Sequence, residues 1–366
     1  MNWFTIKNIQ TIDSPALIVY KERVQQNIHS LLKMKDAEYL RPHVKTNKIA
    51  EVCKLMLDAG IKKFKCATIA EAEMLAMIKA PDVLLAYQPT PTKAKRLLQL
   101  VQKYSATHFS CLIDDAINAE NIAAIFSANN ASIDVYIDLN VGMNRTGIKP
   151  ENAFDLFNAC ENFGGINIAG LHVYDGHIRD TDVDERAQKT NSAFNAVLEL
   201  AAKIETASNE KLRIVAGGSP TFPIHAQRHD IECSPGTFVF WDYGYKNILP
   251  DEPFEYAALV ITRIISVIDE HTICTDLGHK SVAAENTIDK RVYFLNAENV
   301  QPVSQSEEHL VLKVDDATHY KVGDVLYGVP HHICPTVALY ENAIVVENNE
   351  AVDEWKVVAR NRKINV

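Results

Sequence analysis

Between residues 38 and 236 the chain alternates short β-rich runs with amphipathic helical stretches, a rhythm that few folds accommodate. The β-rich runs are Tyr39–His43, Lys63–Ala67, Val83–Tyr87, Phe109–Ile113, Ile133–Leu139, Ile166–Tyr174, Leu212–Ala216 and Ile231–Ser234. Helical periodicity lies between most of them, as in Lys48–Leu57, Ala70–Ile78, Thr92–Tyr104 and Arg186–Thr206. Strands and helices in strict alternation build a parallel sheet with its helices outside. Eight such units, with no glycine-rich turn after the first, predict an α/β fold of the (β/α)8 TIM-barrel type over residues 21–245. Beyond about Tyr245 the texture changes. Ala257–Asp269, His271–Asp276, Arg291–Leu295, His309–Val314 and Ala343–Glu347 read as strands separated by turns, so residues 246–366 form a C-terminal β domain. The early run Ala16–Tyr20, within the N-terminal segment 1–20, is expected to pair with that domain.

Composition narrows the function classes. A formal net charge of −10 argues against a general nucleic-acid-binding surface, so a small anionic ligand needs a local basic pocket. The start, Met1 to Lys7, lacks the apolar core of a signal peptide, and no apolar run approaches membrane-spanning length. A cytoplasmic location is expected, with no membrane partner. The cysteines (Cys53, Cys66, Cys111, Cys160, Cys233, Cys274 and Cys334) form no C-x-x-C pair. They read as reduced thiols, six of them packing residues, with Cys334 set apart below.

A barrel carries its active site at the C-terminal ends of its strands. The first strand leads into Arg41-Pro42-His43-Val44-Lys45-Thr46-Asn47-Lys48. Alternation places Arg41, His43 and Lys45 on one face, and neighbouring cations disfavour protonation of an amine. Lys45 is thus a candidate Schiff-base lysine, with a solvated basic loop as the alternative. The fifth strand ends in Gly142-Met143-Asn144-Arg145-Thr146-Gly147, and the sixth carries His172-Val173-Tyr174-Asp175. The seventh and eighth lead into Gly217-Gly218-Ser219 and Ser234-Pro235-Gly236-Thr237. Small-residue turns after the last two strands suit a phosphate. A lysine after strand one facing a phosphate cup points to pyridoxal 5'-phosphate (PLP).

With R-P-H-V-K-T-N-K, G-M-N-R-T-G and an appended β domain, the chain resembles the alanine-racemase-type PLP enzymes, and within them the D-threonine aldolase and D-serine dehydratase group. The resemblance covers nearly the whole chain in order. It implies that Lys45 holds PLP covalently, that Arg145 reaches its phenolic oxygen and that Tyr174 packs on the pyridine face. It also implies that Gly218, Ser219, Gly236 and Thr237 cradle the phosphate, with Lys45 and Tyr174 as the catalytic pair. Two positions depart from the pattern. Relatives commonly carry His where Asn47 stands, and alanine racemases carry Arg where Ser234 stands.

In the β domain, His332 and Cys334 lie two residues apart within Val329-Pro330-His331-His332-Ile333-Cys334-Pro335. On an extended segment both side chains point the same way, and imidazole with thiolate suits a divalent metal such as Zn. Taken alone, such a pair is more often a buried thiol beside a satisfied histidine. The resemblance implies a metal site here, for Zn or Mn. Two further polar clusters, Asp276–Lys280 and Ser306–His309, receive no chemical role. Together the resemblance implies a homodimeric PLP- and metal-dependent lyase of β-hydroxy-D-amino acids. The D-threonine aldolase reaction, retro-aldol cleavage to glycine and an aldehyde, stands ahead of D-serine or D-threonine dehydration. An amino-acid racemase is a more distant alternative, with Tyr320, Tyr327 and Tyr340 as sources of its second base. A non-catalytic PLP-binding protein is the other.

Overall fold

The computed structural model describes residues 2–366, which fall into two compact units. One is built of Leu31–Lys45, Cys53–Gly236 and Asn361–Val366. The other is built mainly of Thr237–Arg360, with Thr46–Val52 and the residues up to Ser30.

The N-terminal strand β1 (Ala16–Tyr20) belongs to the second of these units. The first unit is a parallel sheet whose strands follow one another in space as in sequence: β2 (Lys63–Cys66), β3 (Asp82–Leu85), β4 (His108–Ile113), β5 (Ile133–Leu139), β6 (Ile166–Val173), β7 (Arg213–Ala216) and β8 (Ile231–Cys233). The expected eighth strand at Tyr39–His43 is not a ladder strand. Ala37–Tyr39 forms a 3-10 turn, and only Leu40 and His43 make bridges, to Cys233 of β8 and to Lys65 of β2. Pro42 has no N–H to give a ladder, which limits the pairing to these two bridges. The segment nevertheless joins the two edges of the seven-stranded sheet, with Arg41 N donating to Cys233 O and Val44 N to Lys65 O, each at 2.9 Å.

Arg41 is fully buried in this unit. Its guanidinium donates to Glu232 at 2.7 Å and to both oxygens of Asp82 at 2.6 and 3.1 Å. Arg41 is therefore committed to carboxylates rather than free to act on a neighbouring amine. Its replacement by Met strips Asp82 of this guanidinium and leaves Glu232 with Lys63 alone, and is expected to cost about 3–5 kcal/mol of stability, read as a fall in the urea midpoint.

The second unit holds a sheet in the order β12 (Gln301–Gln305), β13 (Leu310–Lys313), β10 (Thr272–Thr275), β9 (Ala258–Asp269), β1, β15 (Asn342–Glu347) and β16 (Glu350–Lys356). Strand β14 (Val325–Pro330) pairs with β9 and carries β11 (Val292–Phe294). The expected pairing of Ala16–Tyr20 holds: β1 runs antiparallel to β9 and parallel to β15. Three strands had no clear sequence signal. Strands β12 and β16 lie at the sheet edges and are largely exposed, so apolar alternation is weak in them. The third, β14, is almost wholly buried and shows no alternation at all.

Candidate active site

In the first unit, three cationic side chains surround one aromatic ring. Lys45 Nζ lies 5.7 Å, Lys65 Nζ 5.8 Å and Arg145 Cζ 4.9 Å from the ring centroid of Tyr174. Their elements explain the convergence: Lys45 follows the bridging segment, Lys65 sits on β2, Arg145 lies in the turn after β5, and Tyr174 directly follows β6. The turn bearing Arg145 is held by Asn140, whose Oδ1 accepts from the backbone N–H of Gly142 at 3.1 Å and of Asn144 at 3.0 Å. Gly147 closes it at φ +97°, where a Cβ would stand 2.8 Å from the Leu139 carbonyl carbon.

The turn after β7 packs against Tyr174. Gly217 adopts φ +80°, and a Cβ on Gly218 would meet the Tyr174 ring at 2.9 Å. Behind the turn, buried Thr221 accepts from Gly218 N at 3.3 Å and donates to Asp175 at 2.6 Å. The second oxygen of Asp175 holds His225 Nε2 at 2.8 Å. Gly236 N donates to Ser219 Oγ at 3.4 Å, joining the turns after β7 and β8, and Thr237 follows directly in the chain. Gly218→Ala is expected to displace the Tyr174 ring and weaken anion capture by roughly tenfold, an estimate of about 1–2 kcal/mol for overpacking, measured by phosphate or PLP titration.

The amine that its surroundings push down is one that sequence reasoning missed. Lys65 is fully buried, and burial, followed by the charge of Lys45, lowers its ammonium to about 7. Its Nζ lies 3.4 Å from His172 Nε2, and His172 Nδ1 lies 2.7 Å from Asp138. Burial and then Lys65 hold the His172 imidazole below its ordinary value, against the pull of Asp138. Asp138 also accepts from Thr146 in the Arg145 turn at 3.0 Å. A period-two reading of β2 turns Lys65 and Lys63 to the same face, but only the fold reveals that the face is interior.

A PLP-sized group fits this donor set. Lys45 offers an amine, Arg145 a guanidinium, Tyr174 a ring, and the glycine turns a small-residue cradle. The buried hydroxyl of Ser234 has no hydrogen-bond partner, as expected of a group placed for a ligand's polar atom.

In the second unit, His332 and Cys334 are not on an extended strand. His332 is the N-cap of a short helix, Ile333–Val337, and Cys334 lies in its first turn. The side chains still meet, through a hydrogen bond. Burial pulls the His332 imidazole down, but Cys334, Asp242 and Glu285 outweigh it and raise it to about 9. Glu285 lies 2.6 Å from His332 Nδ1, and Asp242, buried and with its own carboxyl raised to about 6 by that burial, accepts from Ile333 N at 3.1 Å. Cys334 Sγ lies 3.2 Å from Thr46 Oγ1, in the residue after Lys45, and 3.7 Å from Thr237 Oγ1. Among the described residues no group of three His, Cys, Asp or Glu side chains gathers on a metal position. The other six cysteines are buried.

The two unassigned clusters merge into one surface corner. Lys280 pairs with Glu307 at 2.6 Å and Glu308 at 3.2 Å, and His279 N donates to Ser306 O at 2.9 Å. The tyrosines considered for a racemase base are committed to packing. Tyr340 donates to Ser281 O at 2.6 Å, the Tyr327 ring lies tilted against Phe4 with centroids 5.2 Å apart, and Tyr320 packs against the apolar core of its unit.

A family model described as "Alanine racemase, N-terminal domain" matches residues 19–244, and one described as "Putative serine dehydratase domain" matches residues 257–346. The chain is 25% identical over 358 residues to a D-threonine aldolase of Arthrobacter sp, covering 95% of this chain and 93% of that protein. It is 24% identical over 371 residues to a D-threo-3-hydroxyaspartate dehydratase of Delftia sp. (strain HT23), covering 94% and 97% respectively. The solved structure of D-threonine aldolase from Filomicrobium marinum superposes with a TM-score of 0.87 at 24% identity, covering 95% of each chain, which establishes a shared fold.

Proposed function

Because the chain belongs to the alanine-racemase-type, fold type III PLP enzymes, we propose that it is a PLP-dependent lyase of β-hydroxy-D-amino acids that cleaves the Cα–Cβ bond to give glycine and an aldehyde. The observation that carries this reading is the convergence of Lys45 and Arg145 on the Tyr174 ring beside the Gly217–Gly218 turn. When bound, PLP supplies an electron sink for negative charge at Cα. Lys45 would attach it and, once released, serve as a base. Arg145 would neutralise the phenolic oxygen, Tyr174 would pack against the ring, and Gly218, Ser219, Gly236 and Thr237 would receive the phosphate. The neutral Ser234 hydroxyl would be the partner for the pyridine nitrogen.

His332 and Cys334 would hold a divalent metal, Zn or Mn, which supplies Lewis acidity at the substrate β-hydroxyl. The arrangement suits it: Glu285 occupies Nδ1 of His332, as carboxylates commonly do behind a metal-bound imidazole, and leaves Nε2 for the ion. Two protein donors leave positions for water and substrate.

A dehydratase is the second reading, favoured by the similarity to the Delftia enzyme over 94% of this chain. There Lys45 removes the Cα proton and the β-hydroxyl departs. Incubating the metal-loaded holoenzyme with D-threonine separates the two. Acetaldehyde with glycine supports the aldolase, ammonia with 2-oxobutanoate supports the dehydratase, and turnover of neither D-threonine nor D-serine sinks both. We further propose a cytoplasmic homodimer. No described helix is long and apolar enough to cross a membrane, and a monomeric mass in light scattering would refute the dimer.

A further inference from the structure

Lys65, His172 and Asp138 form a buried chain that the proposed chemistry leaves unused. The groups facing Lys65 come from every element around it. They are Arg41 and Lys45 from the segment joining β8 to β2, Asp138 from β5, and His172, Tyr174 and Asp175 on or just after β6. Among these charges Lys45 acts on Lys65 most strongly. Arg41 is neutralised by Asp82 and Glu232, so the cations left around the Tyr174 ring are Lys45, Lys65 and Arg145, and Arg145 also opposes a charge on His172.

We propose that Lys65 is a positioning residue for Lys45, sharing one proton charge with it through the His172–Asp138 pair. When the Lys45 nitrogen gains a proton, the Lys65 ammonium gives one to His172 Nε2. That leaves a neutral amine and an imidazolium whose Nδ1–H remains on Asp138. The number of protons on Lys65 and His172 together is unchanged, and the positive charge moves one side chain further from Lys45. Such a relay suits a lysine that must alternate between attachment and proton transfer, because two adjacent ammonium groups in a buried cup are mutually costly. The imidazole also satisfies the buried ammonium as an acceptor, so proton transfer, not the contact itself, distinguishes the relay from a structural role.

The inference rests on Lys45 being the residue that attaches PLP, and its test keeps the two apart. Holoenzyme is reduced with borohydride and the modified lysine located by mass spectrometry; an adduct elsewhere than Lys45 defeats that premise. With the adduct on Lys45, the ~420 nm band of unreduced wild-type, Lys65→Met and Lys65→Arg holoenzymes is titrated with pH. Removing the neighbouring cation in Lys65→Met is expected to raise the midpoint by about one unit, and the permanent charge of Lys65→Arg to lower it. The 15N shifts of His172 supply a second readout, with its imidazolium forming at higher pH in Lys65→Met. Opposite band shifts, with wild-type His172 becoming imidazolium across the band's own midpoint, support the relay; opposite shifts with His172 neutral throughout that range overturn it. A midpoint unmoved in both variants, or moved the same way in both, overturns it. If Lys65→Met does not fold, Lys65→Arg alone decides: a midpoint equal to wild type overturns the inference.

Discussion

Lys45→Ala protein is expected to bind PLP without the ~420 nm band of a lysine-bound cofactor, and to lose activity by about 10³-fold or more, because one side chain serves as both attachment point and base. The fold should survive. Lys45 is only half-buried, no ion pair among the described residues holds it, and its backbone N–H bonds locally to His43 at 3.3 Å. Lys45→Arg keeps the charge but offers no usable nucleophile, so it should behave like the alanine variant in absorbance. Retention of the band in Lys45→Ala would move the attachment to another lysine, with Lys65 the nearest alternative over the Tyr174 ring.

The second large effect is expected at the thiol. Cys334→Ala should abolish stoichiometric metal retention after dialysis and lower turnover of the β-hydroxy amino acid by about 10²-fold or more, since Lewis acidity contributes several kcal/mol at an oxygen. Glu285→Gln, which touches only the imidazole, should weaken metal affinity by about 10–100-fold and be rescued by excess metal. Chelation with EDTA supplies the independent check. Activity that persists through exhaustive chelation is the result expected of a racemase, and it would remove the metal from the proposed function.

The separation of these two effects reflects how the site is encoded. Lys45, Arg145 and Tyr174 could be nominated from the chain because each stands where a β-rich run ends, and strand ends in a barrel collect at one mouth. The turns proposed to receive a phosphate were legible through their place after the last two strands, since small-residue turns elsewhere mostly just reverse the chain. Lys65 carried no such mark: in Lys63-Phe64-Lys65-Cys66 it reads as half of an alternating polar face. Its counterpart Lys63 is partly exposed and pairs with Glu232, whereas Lys65 is sealed in with His172. His332 and Cys334 were found for a reason that did not hold, since they meet across a helix N-cap rather than along a strand.

By itself the sequence determined the alternation of strands and helices, the change of texture near Tyr245, and which side chains stand at strand ends. These are local properties, set by side-chain periodicity and turn chemistry over a few residues. Tertiary structure alone decided what each charge faces. Arg41 became the buried partner of Asp82 and Glu232, residues 41 and 191 positions away in the chain. Lys65 became a depressed amine through burial and the charge of Lys45. Proton affinity depends on burial and on charges brought near through space, and neither quantity is a property of a short stretch of sequence.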